Sequence, residues 1–81
     1  MKELKRRWGA NVATRRRALK LTQQELATAC GVTQQTISSI ERGECGPSDR
    51  LKVQLAKHLE EPGHRLFPLE LGATLTGANP S

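Results

Sequence analysis

The run from Thr22 to Gly43, TQQELATACGVTQQTISSIERG, constrains the fold more than any other stretch, because it holds start and stop signals for two helices in succession. Thr22 can cap the free amides of a first turn while Glu25, three residues on, reaches back to the Thr22 amide. Leu26, Ala27 and Cys30 then share one face. Gly31 follows the last turn, where a left-handed backbone costs glycine little, so the chain turns sharply there. Thr33 can cap a second helix whose Ile37 and Ile40 lie three apart, and Gly43 offers its stop. Both helices are too short to stand alone, so their apolar residues must be buried against each other and against neighbouring elements. The second helix leaves Gln34, Gln35, Ser38 and Ser39 outward, all polar and uncharged, a face suited to hydrogen bonding.

The flanking sequence supplies those neighbours. Leu4, Trp8 and Val12 recur every four residues, which starts a first helix near Lys2, although Gly9 counts against so early a start. The stripe continues onto Arg16, where an unpaired charge on a buried face would be costly, so Arg16 requires an acidic partner. After the connection Glu44-Cys45-Gly46-Pro47, Ser48 caps a fourth helix with Leu51, Leu55, Ala56 and Leu59 on one side and Val53 off it. Glu60 to Gly63 breaks the chain, and His64 to Leu69 is expected as a fifth helix whose Leu66 and Phe67 close the hydrophobic centre before Pro68. The expected organisation is a basic leader or helix extension over residues 1–7, one domain over 8–69, and a flexible tail over 70–81. Leu69, Leu71 and Leu75 leave the alternative of a short strand pairing with a second subunit.

Eighty-one residues with 36% hydrophobic content, one Trp and one Phe suit a single domain with a thin aliphatic core. No apolar stretch reaches membrane-span length, and MKELKRRW lacks the apolar run of a signal peptide, so a soluble cytoplasmic protein is expected. Cys30 and Cys45 read as reduced thiols. Together with His58 and His64 they lack the paired close spacing of metal ligands, so neither metal nor cofactor is expected. The chain has no nucleophile with a paired base, no clustered carboxylates and no phosphate-cradling glycine loop, which argues against an enzyme. The net charge of +5 is uneven: Met1 to Lys20 holds eight basic residues and one acidic, a balance of +7, which leaves −2 for the remainder. That split suits a polyanion, with Lys2, Lys5, Arg6, Arg7, Arg15, Arg17 and Lys20 available to phosphates.

The segment resembles the helix-turn-helix of the phage Cro and repressor family, also called the XRE family, over roughly Val12 to Phe67. The residues that carry the resemblance are Arg16, Leu21, Thr22 to Ala27, Gly31 to Ile37, Ile40 to Gly43, and Pro47 with Leu51, Leu55, Ala56 and Leu59. Arg15 and Glu60 depart from it, standing where relatives carry an apolar residue and a helix-ending glycine. The resemblance implies an all-α, compact five-helix, lambda-repressor-like domain in which Arg16 pairs with Glu41. It also implies a sequence-specific double-stranded DNA-binding transcriptional regulator acting as a dimer on a palindromic operator. Gln34 and Gln35 then read bases, with Ser39 and Ser38 reaching them weakly or through water. Gln23, Thr33, Thr36 and Arg42 meet the backbone together with Arg15, Arg17, Lys5, Arg6 and Arg7. A restriction-modification controller, or an antitoxin-like interaction module that retains the motif, are the alternatives.

Overall fold

The computed structural model describes residues 2–68. Five helices follow one another: α1 (Lys2–Ala18), α2 (Gln23–Cys30), α3 (Gln34–Glu41), α4 (Asp49–Leu59) and α5 (Gly63–Leu66). The capping signals act where the sequence places them. The Thr22 hydroxyl accepts from the Glu25 amide at 3.0 Å and the Glu25 carboxylate accepts from the Thr22 amide at 2.8 Å, while Thr33 and Ser48 cap α3 and α4. Trp8 and Val12 of α1, Leu26 and Ala27 of α2, Ile37 and Ile40 of α3, three leucines of α4, and Leu66 and Phe67 form one buried cluster. Among the described residues, Val53 is the large apolar side chain left outside.

Gly9 lies inside α1 rather than at its start. A Cβ there would stand 2.3 Å from the Ile40 carbonyl oxygen and 2.7 Å from that of Glu41. The residue that weakens α1 as an isolated helix is therefore the one that lets α1 cross the end of α3 at backbone contact. This crossing fixes the exposed face of α3 relative to the basic first turns of α1.

Four helices end alike. After α1, α2, α3 and α4 the chain enters the left-handed region at Lys20, Gly31, Gly43 and Glu60 respectively. At each end two amides turn back onto last-turn carbonyls, as in Leu21 N to Arg16 O (3.1 Å), Val32 N to Ala27 O (3.0 Å), Glu44 N to Ser39 O (3.0 Å) and Glu61 N to Ala56 O (3.1 Å).

The fifth helix is a correction. It begins at Gly63 and stops at Leu66 rather than running from His64 to Leu69. Phe67, at φ −127° and ψ 61°, has left helical geometry, because the residue before a proline is driven from the α region. The buried placement of Leu66 and Phe67 holds. Leu69 and the tail, with the strand alternative at Leu71 and Leu75, lie outside the described residues.

Candidate nucleic-acid interface

α3 presents its polar face at the surface. Thr33, Gln34 and Gln35 are exposed, while Thr36, Ser38 and Ser39 are half-buried. Beneath that face the Arg16 guanidinium meets Glu41 in a two-bond pair, Nε to Oε2 at 2.6 Å and Nη2 to Oε1 at 3.1 Å. The pair is secluded, with 11% of the Arg16 and 6% of the Glu41 side chain exposed, so each charge depends on the other. The third guanidinium contact, Nη1 to the Leu21 carbonyl at 2.8 Å, ties the entry of α2 to the same centre. Gln23, in the first turn of α2, donates its amide to Glu41 Oε1 at 2.9 Å and accepts from Gln34 Nε2 at 3.4 Å. A continuous polar chain thus runs from buried Arg16 to exposed Gln34.

The far end of α3 is also tied. Arg42 reaches back one turn to the Ser38 hydroxyl. It also grips Glu44 with two bonds, Nε to Oε2 at 2.9 Å and Nη2 to Oε1 at 3.0 Å. The Arg42 contact holds the Glu44 carboxyl below its ordinary range, with a smaller contribution from a Ser39 hydrogen bond, and the same contact raises Arg42. Ser38, expected near bases, is therefore bonded to a member of this ion pair. Glu44 was not legible as a site residue. Its only sequence signal is an acid two residues beyond a base at a helix end.

The basic residues divide. Lys5 and Arg6 border Arg42, Gly43 and Glu44 around a surface cavity of about 470 Å³. Arg7 and Arg17 are exposed on α1. Arg15 is half-buried against the scaffold: its Nε donates to the Leu59 carbonyl at 2.8 Å and lies 3.9 Å from Glu61. The last turn of α4 needs a donor for its carbonyls, and Arg15 supplies it. The Thr33 and Thr36 hydroxyls lie 3.0 Å apart and bond each other. Cys30 and Cys45 are free thiols, that of Cys30 pushed up by burial. Among the described residues no group of three or more His, Cys, Asp or Glu could hold a metal ion, and no helix is long and apolar enough to cross a membrane.

Comparison with known proteins places this arrangement. The helix-turn-helix family model matches residues 12–64. An uncharacterized HTH-type transcriptional regulator of Methanothermobacter thermautotrophicus is 48% identical over 44 residues, which make up 54% of this chain and 64% of that protein. The chain thus spans less than two thirds of that relative's length. Among solved structures, the P22 c2 repressor protein in complex with a synthetic operator superposes with a TM-score of 0.74 at 31% identity, over 75% of this chain and 92% of that one. The restriction-modification controller protein C.AhdI from Aeromonas hydrophila gives 0.76 at 26% identity, over 82% and 96%. The clp gene regulator ClgR from Corynebacterium glutamicum gives 0.75 at 27%, over 78% and 67%. With its capped α2, its glycine turn and its braced α3, the chain belongs to the Cro/repressor-type, or XRE, family of helix-turn-helix transcriptional regulators.

Proposed function

We propose that this protein is a sequence-specific, double-stranded DNA-binding transcriptional regulator that acts in the cytoplasm as a dimer on a palindromic operator. α3 lies in the major groove with Gln34 and Gln35 at base edges, and α2 crosses the backbone. The observation that carries this reading is the bracing of Gln34 by Gln23, which is itself held by the buried Arg16–Glu41 pair. An amide held in place can donate to N7 and accept from N6 of adenine in one plane, a contact worth about 1–3 kcal/mol of discrimination. Adenine-thymine pairs are accordingly expected in each half-site, with half-sites about ten base pairs apart. Ser38, already bonded to Arg42, and Ser39, equally short, reach bases through water. Gln23, Thr33, Thr36 and Arg42, with Lys5, Arg6, Arg7 and Arg17, engage phosphates and set register.

The dimer contact falls to α4 and α5, where Val53, 64% exposed, borders an apolar groove with Ala56, His64 and Phe67. The similarity to a repressor solved on a synthetic operator supports the DNA-binding reading. A restriction-modification controller is the second reading, favoured by the 96% coverage of such a protein.

Selection of bound duplexes from a random DNA library at near-physiological salt tests the proposal. The expected result is an enriched palindrome with adenine-thymine pairs in each half, lost when Gln34 and Gln35 are both replaced by alanine. Unchanged affinity and preference in that variant would overturn the base-reading mechanism.

A further inference from the structure

The turn after α3 is pressed onto the first turns of α1. Gly43, at φ +76°, has no room for a side chain, since a Cβ would meet Arg6 Cγ at 2.7 Å. Gly46 follows within 3.9 Å of Lys5 Cγ by the same measure. This approach gathers Lys5, Arg6 and Arg42 around one cavity whose acidic member is Glu44. Three cations converge there from two elements far apart in sequence.

Glu44 occupies Arg42 in a revealing way. Two parallel N–H to oxygen bonds, at 2.9 Å and 3.0 Å, are the fork geometry with which an arginine grips either a carboxylate or a phosphate. The pair is open to water, with 53% and 58% of the two side chains exposed, so it adds little to the stability of the fold. An exposed pair of this kind exchanges partners readily. We propose that this cleft is a DNA phosphodiester site, walled by Lys5, Arg6 and Arg42, in which Glu44 is an internal stand-in that the phosphate must displace. The proposal rests on the DNA-binding reading above and adds to it an acidic residue that opposes binding.

Glu44 opposes attachment to any duplex, because the displaced carboxylate stays beside a phosphate. It therefore restrains non-specific occupancy without altering which bases α3 prefers. The test measures affinity against salt for the selected operator and for a random-sequence duplex. The variants are Glu44→Gln, Arg42→Gln, the pair of them, and Lys5→Gln with Arg6→Gln, each checked for an unchanged melting temperature.

Glu44→Gln is expected to tighten both duplexes by a common factor of roughly three- to tenfold and to steepen the salt slope by up to about one. The gain should vanish when Arg42 is already glutamine. Lys5→Gln with Arg6→Gln should flatten the slope by about 1.8. The cleft proposal is overturned if Glu44→Gln brings no gain, if its gain persists without Arg42, or if the Lys5 and Arg6 changes leave the slope unmoved. In those three cases a wild-type protein that still selects its palindrome through Gln34 and Gln35 leaves the regulator reading standing. A wild-type protein and a Glu44→Gln variant that both fail to bind any duplex would overturn the two together.

Discussion

The α2–α3 element and the frame formed by α1 and α4 end their helices with the same pair of backbone bonds but with different residues. α2 and α3 turn on Gly31 and Gly43, whereas α1 and α4 turn on Lys20 and Glu60, which must hold φ of 61° and 57° against their own Cβ. The difference lies in what else holds each end. Arg15 donates to the Leu59 carbonyl at the end of α4, and Arg16 donates to the Leu21 carbonyl just past α1. In the frame, hydrogen bonds from distant or buried side chains replace glycine. In the α2–α3 element glycine takes the turn itself, and at Gly43 it also leaves room for Arg6 of α1. An element that must offer one face to a partner keeps few contacts on that face, so its shape has to be written into its own residues.

The largest expected effect breaks the joint between the two regions. Glu41→Ala strands a buried guanidinium and should cost about 3–5 kcal/mol in urea denaturation, much of the stability of a domain this size. It should also free Gln23 and loosen Gln34. Gly9→Ala comes next, because the added methyl meets backbone oxygens of α3 that cannot turn aside. A loss of about 3 kcal/mol is expected by the same denaturation, with α1 displaced from α3. Thr22→Ala removes a cap inside the reading element alone, and thermal melting should register about 1 kcal/mol. Smallest, and opposite in sign, is Glu60→Gly. Relief of left-handed strain, partly offset by the added freedom of the unfolded chain, should leave a gain of about 0.5 kcal/mol. No gain there would mean that Arg15 already imposes the turn without strain.

Legibility in the sequence follows the same division. The Thr22–Glu25 box, the Gly31 turn and the Thr33 cap act over six residues or fewer, so their spacing reveals them. The need of Arg16 for an acid was legible from the apolar stripe, but Glu41 as that acid came only through resemblance, since 25 residues separate them. Gly9 misled, because its reason lies on another helix. Arg15 read as one more phosphate ligand, and its use at the end of α4 required knowing that α1 passes there. The Arg42–Glu44 clasp and the convergence of Lys5 and Arg6 on it depend on the α1–α3 crossing, which no local pattern specifies.

Trp8 sits where the frame closes. Its ring meets Phe67 edge-on at 5.6 Å, Lys52 Nζ lies 4.3 Å from its centroid, and its Nε1 donates to the Pro68 carbonyl at 2.8 Å. The chain has one tryptophan and no tyrosine. Its intrinsic fluorescence is therefore a single-site signal from the junction of α1, α4 and the segment after α5. Set beside circular dichroism, which sums over all helices, this natural reporter can tell whether the frame opens together with the reading element or after it.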